Sequence, residues 1–185
     1  MEARSVDLSE QLDSLDEPAW EWIAGAPVQK LMGTDWHAVL QAAFIKHLDR
    51  WAPAGKVAPE WRFSVPPNDF ETESVVPDVV DLAAQRYFAL PKAERTYPAI
   101  PPEIVVEILS PKQSIGQINI KRRVYLSWGV RLVLIVDPST RSIEAYENKH
   151  PQGVAFREPQ LLTNPLFPTL SLPLTAIFAV LDEPA

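Results

Sequence analysis

The chain has 185 residues, a formal charge of −7 and 46% hydrophobic residues, a combination that favours one domain with a full-sized core. No apolar run reaches the roughly 18 residues of a membrane span, and the acidic start argues against a secretory leader. With no cysteine present, disulfides and thiolate metal sites are excluded, and a cytoplasmic setting is expected.

The charge is uneven. Residues 1–19 carry Glu2, Asp7, Glu10, Asp13, Asp16 and Glu17 against Arg4 alone. The remainder holds 18 acids and 16 bases, a balance of −2. The expected layout is an acidic N-terminal arm over 1–19 and a single domain over 20–185. The 19 prolines are about twice the usual ~5% share and punctuate loops.

Trp20 to Ile23 opens the domain as a short helix or strand. Gly33-Thr34-Asp35 offers a helix N-cap. Trp36, Leu40, Ala43, Phe44, Leu48 and Trp51 follow at spacings of three and four, one apolar face of an amphipathic helix. His37 in its first turn reads as a capping or solvent-exposed histidine. Trp61, Phe63 and Val65 alternate with polar residues, a half-buried strand. Pro66-Pro67-Asn68-Asp69 is a turn. Val75 to Val80 reads as an apolar strand carrying one acid, Asp78, with Pro77 marking an edge, a bulge or the start of pairing. Residues 83–102 read as a loop with one helical turn.

Ile104-Val105-Val106-Glu107-Ile108-Leu109 is a strand buried on both faces. Pro111, which lacks an amide donor, stops it near Ser110. Ser114 to Trp128 is a helix closed by Gly129. Ile120, Val124 and Trp128 are expected to face the sheet, with Gln117, Lys121 and Tyr125 as a second stripe at the same spacing. Leu132 to Val136 is another buried strand, stopped by Asp137-Pro138. Ser142 to Glu147 and Val154 to Glu158 form a hairpin. The Pro-rich passage 159–173 reads as irregular, and Thr175 caps a last short helix. The mixture indicates an α/β (α+β) sheet covered by helices.

Asp78 and Glu107 are lone acids among aliphatics. An ionised carboxylate in that setting is costly unless it is paired or binds a cation. Two carboxylates held close repel each other unless a cation stands between them. Mg²⁺ suits such a pair, because it takes oxygen ligands and keeps several waters, and it can activate water against a phosphodiester. The alternative is that each acid is solvated at a strand end or paired with an arginine.

Pro77-Asp78, Val106-Glu107-Ile108-Leu109-Ser110-Pro111, Lys121, Tyr125, Gly129-Val130 and Leu134-Ile135-Val136-Asp137-Pro138 occur in that order. This set resembles the Uma family (Uma-two) of restriction endonucleases, within the PD-(D/E)XK nuclease superfamily. Trp20-Glu21-Trp22-Ile23-Ala24-Gly25 resembles the family's opening, and Leu174-Thr175-Ala176-Ile177-Phe178 its close. The resemblance covers roughly residues 20–180, with 102–138 its specific part. It implies a restriction-endonuclease-like core: a mixed central β-sheet flanked by helices, with a C-terminal β-hairpin.

The resemblance also implies a metal site on Asp78, Glu107 and the Ile108 backbone, holding Mg²⁺ with Mn²⁺ as a substitute. Lys121 and Gln117 join Asp78 and Glu107 as catalytic residues. Lys112, Arg122, Arg123 and Tyr125 are expected at the substrate, Tyr125 also bracing Lys121. Glu21 is assigned to the surface rather than the metal. Two departures stand out: Leu109 occupies the usual lysine position, and Gln117 stands where the helix commonly carries an acid.

The implied activity is Mg²⁺-dependent hydrolysis of DNA phosphodiester bonds, with DNA as partner and no membrane. A homodimer is expected, since a domain that cuts both strands works in pairs. Lys112, Lys121, Arg122, Arg123 and Arg131 would contact phosphates, which set affinity without reading sequence; the alternative is a solvated helix face. Against the enzyme stands a catalytically weak nuclease-fold module that binds nucleic acid or a protein. A third reading is a metal-assisted hydrolase of another phosphoester.

Overall fold

A computed structural model of the chain describes residues 19–30, 34–52, 54–111 and 113–182. Among these, the central feature is a six-stranded mixed sheet in the order β10-β9-β8-β7-β6-β3. Its strands are β3 (Gly55–Pro59), β6 (Val79–Ala83), β7 (Ile104–Ile108), β8 (Leu132–Asp137), β9 (Ser142–Glu147) and β10 (His150–Arg157). Only β7 and β8 run parallel, joined through helix α3 (Ile115–Trp128), as a crossover connection requires. A smaller sheet, β2-β1-β5-β4, is built from β1 (Trp20–Ile23), β2 (Ala26–Gln29), β4 (Phe63–Ser64) and β5 (Ser74–Val75). A separate hairpin joins β11 (Leu161–Asn164) to β12 (Phe167–Pro173).

Strand alternation divides the core into two layers. Ile104, Val106, Ile108, Leu132, Leu134 and Val136 pack with Leu40, Phe44 and Leu48 of helix α1 (Asp35–Trp51) on one side. The β11-β12 hairpin and helix α4 (Leu174–Phe178) complete that layer through Leu170, Leu172, Ile177 and Phe178. Val80, Leu82, Val105, Val133 and Ile135 pack on the other side with Ile118, Val124 and Tyr125 of α3. Gly129 ends α3 at φ 112°, and its amide is donated to the Tyr125 and Leu126 carbonyls, a closure that suits glycine.

Several expectations are corrected. Residues 75–80 are not one strand. The chain leaves the small sheet at Val75 and enters the large one at Val79, with Pro77 in the gap, where the missing proline amide costs no ladder bond. Residues 55–59 form a full edge strand, which the sequence hid because Pro53, Gly55 and Pro59 read as punctuation. Only Phe63–Ser64 of the expected 61–65 strand pairs. The 83–102 passage contains helix α2 (Ala84–Ala89) and a 3-10 turn at Lys92–Arg95. The supposedly irregular 159–173 is the second hairpin. Thr34 and Thr175 make no side-chain caps, and Pro173 precedes α4. On α3, Ile118, Lys121, Val124 and Tyr125 are buried, while Ile120 and Trp128 are only half-buried. Of the apolar residues expected to face the sheet, Val124 does so, while Ile120 and Trp128 lie at the flank. The expected acidic arm, 1–19, lies outside the described residues except Ala19.

Asp81 on β6 is buried, and its Oδ1 has no hydrogen-bond partner among the described residues. Burial, reinforced by the Glu103 carboxylate, pushes its pKa up to about 6. The folded state therefore keeps a proton that the unfolded chain releases near pH 4, so stability falls as pH rises from about 4 to about 6. Asp81→Asn is expected to stabilise the protein by about 1–2 kcal/mol at pH 8, after discounting for partial solvent screening, and by nothing at pH 4. Urea unfolding at the two pH values checks both arms.

Candidate active site

The gap at Pro77 organises the site. Released from both sheets, the Val76 amide is donated to Glu21 Oε1 at 2.7 Å, and the Val76 carbonyl accepts Lys30 Nζ at 2.9 Å. The Asp78 carbonyl accepts the Gln41 side-chain amide at 3.2 Å. Asp78 then points at the end of β7, where its Oδ2 accepts the Ile108 N–H at 2.6 Å. Its Oδ1 lies 2.8 Å from Lys30 Nζ and 3.3 Å from His37 Nε2.

Glu107 sits on the β7 face that looks at α3. The Lys121 ammonium, reaching back from that helix, stands 2.7 Å from Glu107 Oε1 and 2.8 Å from Glu21 Oε1. Tyr125, one turn further on, donates its hydroxyl to Glu107 Oε1 at 2.5 Å. The i, i+4 stripe predicted for α3 is therefore real and turned toward the sheet. Glu21, Asp78, Glu107 and Lys121 are each less than 5% exposed. They line one cavity of about 240 Å³ together with Lys30, His37, Ile108, Ser110, Gln113 and Gln117.

The electrostatics separate the acids. Burial alone would raise the Asp78 pKa, but the Lys30 ammonium and His37 outweigh it and hold the carboxyl well below the usual range. Burial dominates at Glu107; Lys121 offsets part of it, Asp78 and Glu21 add to it, and the pKa rises to about 7. Burial opposes the Lys121 charge, yet Glu107 and Glu21 prevail and hold its pKa above the ordinary lysine value. Burial and the neighbouring Glu107 carboxylate raise Tyr125 well above the usual phenol.

Glu21 corrects the expectation of a surface role: it is buried and shares Lys121 with Glu107. His37 likewise is neither exposed nor a cap; it is 4% exposed and faces Asp78. Lys30 was not anticipated, because a lone lysine after a four-residue strand carries no local signal. Tyr125 is fully buried and braces Glu107 rather than opening to a substrate. Among the described residues of the expected basic cluster, only Lys121 lines the cavity. Arg122 lies over the Tyr146 ring at 4.3 Å, Arg131 over Phe167 at 4.5 Å, and Arg123 is exposed on α3. Lys112 lies outside the described residues.

Residues 6–175 match the model of the Uma2 family, described as "Putative restriction endonuclease". The chain belongs to the Uma2 family. No curated protein matches this Uma2 chain. Among solved structures, it is similar to a crystal structure from Anabaena variabilis described as "a putative nuclease belonging to DUF820". The two are 24% identical with a TM-score of 0.80, over 96% of this chain and 99% of the other. That likeness is one of fold, and the fold is restriction-endonuclease-like, a mixed sheet between helices. The family and the fold expected from the ordered motif set are thus those found. Among the described residues, no helix is long and apolar enough to cross a membrane.

The chemistry of the donor set suits a hard cation. The Val76 amide and Lys121 engage Glu21 through Oε1, and Tyr125 and Lys121 engage Glu107 through Oε1. Three carboxyl groups, Glu21, Asp78 and Glu107, share the cavity with two ammonium groups, Lys30 and Lys121. Among the described residues, no group of three or more histidine, aspartate or glutamate side chains is placed to hold a metal ion by itself.

Proposed function

We propose that this chain is a Mg²⁺-dependent endonuclease that hydrolyses DNA phosphodiester bonds in the cavity between β7 and α3. What carries this reading is the convergence of Glu21, Asp78, Glu107 and Lys121 on one cavity, from segments distant in sequence, in a chain of the Uma2 family. A divalent cation held by Asp78, Glu107 and the Ile108 carbonyl, with Mn²⁺ as a substitute, would polarise a phosphoryl oxygen and make a water more acidic.

The protein's own groups do the remainder. Lys121, fixed by two carboxylates, offsets charge on the phosphoryl oxygens as the water oxygen attacks phosphorus and the ester oxygen leaves. Its position on the following helix takes over the duty that Leu109, in the β7 strand's extension, cannot perform. Gln117, one turn before Lys121 and lining the cavity, orients the water through its side-chain amide. Tyr125 keeps Glu107 Oε1 directed at Lys121, leaving Oε2 for the cation. Lys112, Arg122 and Arg123 contact flanking phosphates, a contribution that depends on salt and not on sequence. Two copies acting together would cut both strands.

Supercoiled plasmid tests the reading. With Mg²⁺ or Mn²⁺ the protein is expected to nick and linearise it, and EDTA to stop the reaction. One observation favours a second reading: Asp78 already has Lys30, His37 and the Ile108 amide on its two oxygens. A nuclease-fold module that binds nucleic acid without cutting it would retard the plasmid with either ion and leave it supercoiled.

A further inference from the structure

Lys30 stands where cation chemistry is expected, and the proposed mechanism gives it no task. Its side chain is 11% exposed, and its ammonium has three oxygens around it: Asp78 Oδ1 at 2.8 Å, the Val76 carbonyl at 2.9 Å and Glu60 Oε1 at 4.0 Å. Of these, Asp78 is also a ligand assigned to the cation above. We propose that Lys30 is the resident counter-ion of Asp78, and that a divalent cation binds this site only by displacing its ammonium. The inference rests on the cation-dependent reading given above.

The argument is one of mutual exclusion. Asp78 is buried, so its charge requires a partner in every state of the protein. With the site empty of metal, Lys30 supplies that partner, helped by His37 and the Ile108 amide. A divalent ion on the same carboxylate would meet an ammonium already within 3 Å of Oδ1, and like charges at that distance repel strongly in a shielded pocket. Lysine suits the task because its charge is a compact ammonium on a flexible four-carbon stem, able to withdraw without dragging the backbone. Lys121 does not compete in this way, since it engages Oε1 of Glu21 and Glu107 rather than Asp78.

The consequence is a tax on cation affinity. Only molecules whose Lys30 has withdrawn are competent to bind, so the apparent affinity falls by the competent fraction. A variant that keeps a hydrogen-bond donor at position 30 but lacks the charge should bind the ion more tightly. A purely structural Lys30 predicts the reverse, because losing it would loosen the pocket.

Titration calorimetry with Mg²⁺ and with Mn²⁺, in the absence of nucleic acid, tests this on wild type, Lys30→Gln, Lys30→Arg, Asp78→Asn and, as a remote charge control, Lys46→Gln. Lys30→Gln is expected to bind at least tenfold tighter than wild type and Lys46→Gln equally. Lys30→Arg, whose planar fork grips a carboxylate on two oxygens, should bind more weakly. Asp78→Asn should lose at least tenfold. If Lys30→Gln does not fold without the ion, weaker binding by Lys30→Arg carries the test, and unchanged binding by it overturns the proposal. Equal or weaker binding by a folded Lys30→Gln overturns it too, while the cation reading stands as long as wild type binds and Asp78→Asn does not. No binding by any of the proteins overturns both.

Discussion

Lys121→Met should be the most destabilising single change at the site, costing about 3–5 kcal/mol at pH 8. The Lys121 ammonium is the counter-ion that Glu21 and Glu107 share, at 2.8 and 2.7 Å, and all three side chains are at most 5% exposed. Methionine fills a similar volume but leaves two buried carboxylates facing each other. For a chain of this size the loss corresponds to roughly 10 °C in melting temperature. Its pH dependence distinguishes this account from simple misfit. The Glu107 pKa is already raised to about 7 by burial, with Lys121 holding it back. Without Lys121, Glu107 keeps its proton to higher pH, and a neutral carboxyl requires no counter-ion. Because the folded state then holds a proton that the unfolded chain releases above about 4.5, the penalty should shrink as pH falls from 8 to 5. Urea unfolding at both values measures it. An equal loss at pH 5 and pH 8 would mean that packing, not charge, explains the destabilisation. Cleavage should disappear at any pH where the variant is folded.

Glu107→Gln separates stability from chemistry. Glutamine has the same shape and can still accept from Tyr125 and from Lys121, which retains Glu21 as its ionic partner. Burial is what raises the Glu107 pKa, so removing the charge should leave the melting temperature within a few degrees of wild type. Activity should behave otherwise. A lost cation ligand takes several kcal/mol of transition-state stabilisation with it, about a thousandfold in rate. The informative result is a folded, plasmid-binding protein that does not cut. A Glu107→Gln variant that nicks plasmid within tenfold of wild type would remove Glu107 from the reaction.

The parts of this fold that were legible in the sequence are those where one physical signal dominates. β7 and β8 read as buried strands because both faces are covered and every position is apolar except Glu107 and the terminal Asp137. α1 and α3 read as helices because their apolar spacing runs through several turns, and Gly129 marks the end of α3 by its positive φ. Asp78 and Glu107 stood out because an acid in such surroundings needs a reason. What escaped was set by partners distant in the chain. β3 carries too little apolar pattern to announce itself, and only its pairing with β6 makes it a strand. The β11-β12 hairpin uses prolines at positions that need no ladder donor, so proline content misled. Glu21, Lys30 and His37 gain their meaning from Val76 and Asp78, some 40 to 55 residues away. No local pattern could assign them. The stripe of Gln117, Lys121 and Tyr125 was seen, but its burial was not, because a lysine is not expected to face a sheet unless acids await it there.

A crystal soaked in Mn²⁺ and measured for anomalous scattering tests the central claim most directly. The account predicts a peak in contact with both Asp78 and Glu107, with Lys30 withdrawn from Asp78. No peak in the cavity at saturating Mn²⁺, with Lys30 still on Asp78, would contradict it.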